Sequence, residues 1–136
     1  MDDLQKSTAV AISGMKAQAE RLRVISENLA NSDSLSQTAG GTPYRRKVVT
    51  FKDELDRANG MNKVAVAGVR SDRSEFQHRY DPKHPAADRD GYVLTPNVNP
   101  MIELMDMKEA QRSYEANLNV ISVSRNLLSQ SVNLLK

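Results

Sequence analysis

Apolar residues recur at alternating steps of four and three at both ends of this chain, and the two stripes enclose a middle with a different rhythm. In the N-terminal stripe the positions are Leu4, Thr8, Ala11, Met15, Gln18, Leu22, Ile25 and Leu29. Ile12 and Ala19 widen it to the breadth of a core-facing helix. No proline interrupts the segment, and Gly14 is its weak point, costing about 1 kcal/mol relative to alanine. Asp2 and Asp3 suit the positive end of the helix dipole, and Asn31-Ser-Asp-Ser supplies a polar stop. The C-terminal stripe is Leu104, Met107, Gln111, Tyr114, Leu118, Ile121, Arg125, Leu128, Val132 and Leu135. A repeat sustained that far reads as a coiled-coil seam. Asn99 suits the N-cap, Pro100 the first helical position and Glu103 the dipole. Gln111 and Arg125 interrupt the seam, as polar residues do where they set register or meet a second partner.

Between the helices, Gly40-Gly41-Thr-Pro43 breaks the chain. The pattern then predicts a strand from Tyr44 to Phe51 and a hairpin turn at Asn59-Gly60. A second strand carries Val64, Val66 and Val69, and a third carries Phe76, His78 and Tyr80 and ends at Pro82. Gly91-Tyr-Val-Leu is a short fourth. The fold class expected is α+β: two long terminal helices forming a coiled-coil layer, with a small β-hairpin-rich middle. The expected boundaries are residues 1–35 and 100–136 for the helical layer and 36–99 for the middle. Met15, Leu22, Ile25 and Leu29 are expected to face Leu118, Ile121, Leu128 and Leu135, with both chain ends together.

Composition sharpens this picture. The chain of 136 residues has two Phe, four Tyr and no Trp, and its large aliphatics lie mostly in the terminal segments. The middle has little with which to build its own core, so stability is expected from helix pairing, between molecules as well as within one. Residues 1–36 carry a net charge of −1, residues 37–99 +3 and residues 100–136 zero. Near-neutral helices disfavour nucleic acid as their partner, since duplex binding normally needs a basic face, and none is expected. Arg45-Arg46-Lys47, the densest basic point, reads as a solvated strand edge. With no cysteine there is neither a disulfide nor a thiolate site. No apolar run reaches the roughly 20 residues that span a bilayer, so no membrane insertion is expected. Met1-Asp-Asp lacks a basic n-region, so no cleaved signal peptide is expected, and export would need another machine.

Candidate chemistry is sparse. His78, Asp81, His84, Asp88 and Asp90 match no zinc spacing, and Asp88-Arg-Asp90-Gly91 lacks the closing glutamate of a calcium loop. They read as turn residues, with Asp bonding nearby backbone and Gly supplying positive φ. There is no nucleophile elbow, phosphate loop or dinucleotide fingerprint. No catalytic residue, metal ligand or cofactor is therefore assigned. Met101, Met105 and Met107 cluster at the start of the C-terminal helix, where methionine adapts to non-identical neighbours.

Two segments carry a resemblance. Ser26-Glu-Asn-Leu-Ala-Asn31, with Asn28, Leu29 and Ala30 at its centre, is followed by Thr38 and Gly41-Thr-Pro-Tyr44-Arg45. Met105-Asp-Met-Lys-Glu-Ala110 is followed by Arg112-Ser-Tyr114-Glu-Ala-Asn117. In this order they resemble the N- and C-terminal signatures of the flagellar axial proteins, the rod and hook subunits of the bacterial flagellum. Asp81-Pro82, His84-Pro85, Gly91-Tyr92-Val93 and Pro96-Asn97-Val98-Asn99 resemble the proximal-rod members of that family, over essentially the whole chain. Thr-Pro-Tyr, where other members often have Gly-Tyr, points the same way.

The resemblance implies a structural subunit, not an enzyme, in the basal-body rod that spans the periplasm. It implies a hollow driveshaft that transmits torque and continues the export channel, with type III export and no signal cleavage. Its implied partners are copies of itself, other rod subunits, and membrane-ring and export-apparatus proteins at the rod base. The assembly interface expected is Leu4, Met15, Leu22, Ile25, Leu29, Leu104, Met107, Tyr114, Leu118, Ile121, Leu128, Val132 and Leu135. The rivals are a distal-rod or hook-type subunit and a soluble coiled-coil adaptor, which would dimerise alone in solution.

Overall fold

The computed structural model describes residues 2–136 and has the α+β layout. Helix α1 runs Asp2–Ala30 and α2 runs Pro100–Leu134, with strands β1 (Lys47–Asp56), β2 (Met61–Ser71), β3 (Gln77–Tyr80) and β4 (Tyr92–Thr95) between them. β1 pairs with β2, and β3 pairs with β4 antiparallel, with Gln77 opposite Thr95 and Tyr80 opposite Tyr92. No helix among the described residues is long and apolar enough to cross a membrane.

The helix ends follow their local chemistry. Asn99 Oδ1 accepts the Met101 N–H at 3.1 Å, and the Asn99 carbonyl accepts the Glu103 N–H at 3.0 Å, so the cap closes the first turn of α2 as expected. At the end of α1, Asn31 Nδ2 donates to the Glu27 carbonyl and Ser32 Oγ to the Leu29 carbonyl, both at 2.9 Å. Both carbonyls also accept a backbone N–H, from Asn31 at 3.1 Å and from Ser32 at 3.3 Å, so the last turn is closed by main chain and side chain together.

In the middle, Asn59-Gly60 forms the expected turn. The Asp56 carbonyl accepts the N–H groups of Asn59 and Gly60, and Gly60 takes φ 64°. β1 begins three residues later than the pattern predicts and extends five residues further, to Asp56. Tyr44 and Arg45 are excluded from β1 because their side chains and backbone serve other contacts, described below. Gly91 takes φ 86°, and Asp88 Oδ1 accepts the N–H groups of Asp90 and Tyr92, both at 2.9 Å. His84 Nδ1 accepts the Ala86 N–H at 3.0 Å. Those groups behave as turn residues.

The chain divides into two compact units, each drawing on both helices and part of the middle. One holds the chain up to Leu22, Val49–Gly68 and Lys108–Lys136. Its helices run antiparallel: Gly14 lies against Asn117, Arg21 pairs with Glu109 at 3.5 Å, and Leu4 and Ser7 line one groove with Val123 and Leu127. Among its described residues, those buried are small: Ala11, Ala17, Ala110 and Ser124. The other unit holds Arg23–Val48 and Val69–Met107. Its buried set is larger and more varied, with Val24, Ile25, Val93 and Val98 packed beside Pro43, Pro96, Asn28 and Glu103.

The packed face of α2 departs from the predicted seam. Residues shielded from solvent at steps of four and three are Glu103, Met107, Ala110, Tyr114, Asn117, Ile121, Ser124, Leu128 and Ser131. Met107, Tyr114, Ile121 and Leu128 were expected there. Leu104, Leu118 and Val132 were expected too, but are 42, 45 and 45% exposed. Leu135 lies beyond the end of α2 and is 82% exposed. Neighbouring helix positions are about 100° apart, so replacing every second member by its predecessor turns the packed face by roughly 50°. Gln111 and Arg125 consequently face solvent. α1 shows the same displacement, with Gly14 and Asn28 in contact where Met15 and Leu29 were expected. Ile25 is buried as predicted, while Leu4, Met15, Leu22 and Leu29 are half-buried.

Candidate assembly interface and its polar anchor

A buried polar cluster organises the unit that holds the start of α2. Glu103 sits on the first turn of α2 and is 0% exposed. Its carboxylate accepts from Arg46 Nε, and at 3.5 Å from Asn28 Nδ2. Arg46 also reaches Asp72 at 3.3 Å and Asp106 at 3.6 Å. A buried carboxylate is tolerable only when paired and hydrogen-bonded, and here one guanidinium serves three acids. Burial works against the Arg46 charge, but the hydrogen bond and charge of Glu103, followed by those of Asp72, outweigh it and raise its pKa. The N–H and hydroxyl of Ser74, with Arg46, hold Asp72 below its ordinary range.

Asn28 is the hub from α1. Its Nδ2 donates to the Lys47 carbonyl at 2.8 Å, and its Oδ1 accepts the Lys47 N–H at 2.9 Å. The amide thus pairs with the first residue of β1 as a neighbouring strand would. Tyr44 donates its hydroxyl to Asn28 Oδ1 at 2.8 Å, and burial, then the charges of Glu27 and Glu103, push that hydroxyl's pKa up. Lys47 Nζ reaches Glu27 at 2.6 Å and holds its carboxyl below the usual range. Asn97 performs the matching task before α2. It accepts the Arg46 N–H at 2.8 Å and donates to the carbonyls of Asp72 and Ser74. Arg45 donates to the same two carbonyls and stacks on Phe76, 4.1 Å from the ring centre.

The solvated-edge reading of Arg45-Arg46-Lys47 is therefore corrected: all three side chains are engaged, and Arg46 is the hinge of the cluster. Its acid partners lie 57 and 26 residues away in sequence, so no local spacing announces them. The pattern of the sequence marks Glu103 only as a partner of the helix dipole. Of the signature residues, the cluster gathers Asn28, Tyr44 and Asn97; Asn31 and Asn99 serve helix ends. Asp81, His84 and Gly91 shape the turn between β3 and β4. Asp81 N–H donates to the Gly91 carbonyl at 2.9 Å, and His84 N–H donates to the Asp81 carbonyl at 3.1 Å. Tyr92 meets Tyr80 edge-on at 5.3 Å between ring centres.

A second feature lies on α2. Ala116, Val120, Val123 and Leu127 follow one another at steps of four and three, roughly a third of a turn from the packed face, and Ile102, Met105 and Leu134 continue that side beyond the charged and polar positions Glu109, Arg112 and Gln130. All are exposed, Met105 to 67%, Val123 to 56% and Leu134 to 87%. Leu4 and Ser7 of α1 line a groove with Val120, Val123 and Leu127 yet leave those side chains exposed, so this second apolar patch has room for a further packing partner.

Comparison with known proteins places these features in a family. The profile described as flagella basal body rod protein matches residues 9–34, and that described as flagellar basal body rod FlgEFG protein C-terminal matches residues 89–134. A flagellar basal-body rod protein FlgC of Agrobacterium fabrum is 50% identical over 100% of this chain and 98% of its own length. FlgC of Bacillus subtilis is 35% identical over 93% of this chain and 94% of its own, and FlgC of Salmonella typhimurium is 35% identical over 92% of each. Both polar helix junctions fall in or beside the matched segments, and the chain belongs to the flagellar basal-body rod protein family, with FlgC proteins as full-length relatives.

Proposed function

We propose that the chain is a structural subunit of the proximal rod of the flagellar basal body, polymerising with copies of itself and with other rod subunits into a hollow driveshaft. The observation that carries this reading is the set of exposed apolar residues on α2, with Val120, Val123 and Leu127 in series and Ile102, Met105 and Leu134 towards its ends. Fully burying a Val, Leu, Ile or Met side chain contributes about 1.5–3 kcal/mol, so neighbours covering this line would supply much of what the small buried set lacks. Head-to-tail contacts of that kind generate an open helical tube, whereas a self-complementary patch closes a dimer. Close-packed helices resist torsion, which suits torque transmission.

On this reading the two helices form the inner axial layer, and the segment 36–99 lies outside it. Leu104, Leu118, Val132 and Leu135, exposed in the single chain, supply further contacts between subunits from another side of the helix. Membrane-ring and export-apparatus proteins meet the subunit at the rod base. Export proceeds through the flagellar type III apparatus without signal cleavage. The full-length rod-protein relatives support the same assignment. Detergent-purified basal bodies from cells producing an epitope-tagged chain test it. The tag is expected in the rod at the membrane-proximal side, and basal bodies with an intact rod but no tagged chain would refute the proposal.

A further inference from the structure

We propose that Asn59 is a site of spontaneous deamidation, and that Asp56 guards it for as long as the β1–β2 hairpin is folded. All the groups involved lie in or beside the turn between these strands, within one compact unit. Asn59 and Gly60 are both exposed, so water reaches the bond between them. Glycine after asparagine carries no Cβ to obstruct ring closure, and the space around Gly60 is open, with nothing within 4 Å of where a Cβ would stand. In the unfolded chain the Gly60 backbone nitrogen gives up its proton and attacks Asn59 Cγ. A nitrogen–carbon bond closes a five-membered succinimide, the Cγ–Nδ2 bond breaks, and Nδ2 takes up a proton and leaves as ammonia. Water then opens the ring at one carbonyl or the other, leaving aspartate or isoaspartate at position 59. Water is the one co-reactant, and nothing is oxidised or reduced.

The folded turn withholds both reacting groups. Gly60 donates its N–H to the Asp56 carbonyl at 2.8 Å, so the nucleophile cannot lose its proton until that bond opens. Asn59 Nδ2 donates to Asp56 Oδ2 at 3.1 Å, which ties the carboxamide to the aspartate. The carboxylate is itself fixed, because Oδ1 accepts the Ala58 N–H at 3.1 Å and Lys63 Nζ lies 2.7 Å from Oδ2. Reaction in the native chain therefore waits on local opening of the turn. The product works against refolding. Aspartate at position 59 sets a carboxylate against Asp56 where an amide donor stood, and isoaspartate adds a methylene to the main chain of a turn that fixes strand register. Modification at this bond thus accumulates with the time the chain spends unfolded.

The test follows the full chain and its Asp56→Ala and Asp56→Asn variants during incubation at mildly alkaline pH, in buffer and in concentrated urea. Deamidation is read by mass spectrometry of the tryptic peptide covering residues 58–63, with fragment ions separating Asn59 from Asn62. In urea the three chains are expected to react at a common rate, and the parent in buffer about tenfold or more slowly. Asp56→Ala removes the acceptor and should raise the rate in buffer by about fivefold, the worth of one ordinary hydrogen bond. Asp56→Asn keeps an acceptor oxygen for Asn59 Nδ2 and should stay within about twofold of the parent. Equal rates for the parent in buffer and urea would overturn protection by the fold. An Asp56→Ala rate at or below the parent's would overturn the guarding role, a decrease being the sign of a carboxylate that assists the chemistry. Should Asp56→Ala lose the hairpin altogether, Asp56→Asn decides: a rate near the parent's upholds the guard, and one near the urea rate overturns it.

Discussion

The side-chain amide of Asn28 brackets the backbone of Lys47, donating to its carbonyl at 2.8 Å and accepting its N–H at 2.9 Å. A helix residue thus takes the place of a strand neighbour at the first position of β1. Asn28→Asp keeps the acceptor, loses the donor and sets a second carboxylate beside Glu103. Asn28→Ala leaves both Lys47 groups unpaired, at about 1–3 kcal/mol for a buried unsatisfied group. Asp is expected to be worse than Ala, because like charges add to the lost bond. Urea denaturation of the purified variants ranks them, and equal midpoints would contradict this account.

Arg46 and Glu103 should behave as a coupled pair. Removing Arg46 leaves the buried Glu103 carboxylate uncompensated, at about 3–5 kcal/mol, whereas removing Glu103 leaves Arg46 with Asp72 and Asp106 and should cost less. Removing both is expected to cost clearly less than the sum. A double-mutant cycle with Glu103→Leu and Arg46→Met measures the coupling, and additive effects would show that Asp72 and Asp106 fully substitute for Glu103.

Asp56 gives the hairpin a pH dependence of known sign. Hydrogen bonds from Lys63 and Asn59 lower its carboxyl to about 2, and Lys63 Nζ lies 2.7 Å away. The unfolded value is about 3.9, so the carboxylate's stabilising contribution is complete above that pH and is lost as pH falls towards 2. Hairpin amide resonances are expected to shift in that window. Asp56→Asn should abolish that part of the response, and an unaltered titration in the variant would assign it elsewhere.

Gly14 tests the close approach of the helices. A Cβ there would lie 2.8 Å from Asn117 Nδ2, the far end of a flexible side chain. Alanine gains about 1 kcal/mol of helix propensity against that contact, so Gly14→Ala should be nearly neutral. Combined with Asn117→Ala it should be stabilising, because the obstructing amide is gone. Thermal melts of the single and double variants report both signs.

The helices, the Asn59-Gly60 turn and the strand order were legible because their signals are local. Periodicity over α1 and α2 names a face, and Asn99-Pro100 names a start. Periodicity does not distinguish residue 103 from 104, or 117 from 118, because adjacent positions flank the same stripe. At residue 103 the buried position goes with Arg46, whose acid partners come from distant segments. A triplet such as Arg45-Arg46-Lys47 looks solvated whenever its partners are remote in sequence. The available hint was a set of polar residues, Asn28, Tyr44, Asn97 and Glu103, placed at or beside otherwise apolar patterns.

Two neighbouring positions on α2 separate folding from assembly. Ile121 belongs to the face packed towards α1, whereas Val123 is 56% exposed on the second stripe. Ile121→Asp must desolvate a carboxylate without a partner, which costs several kcal/mol, so the purified chain should lose helix stability as well as function. Val123→Asp changes a solvated position, and the isolated chain should melt within about 0.5 kcal/mol of the parent. If the second stripe contacts neighbouring subunits, the same substitution places an unpaired charge in an apolar interface and should abolish swimming. Circular dichroism of the purified variants, paired with soft-agar motility of cells carrying each allele, gives the two readouts. Normal motility of the Val123→Asp strain would remove the second stripe from the assembly surface. Loss of motility with an unchanged melt would tie that stripe to subunit contacts that the isolated chain does not contain.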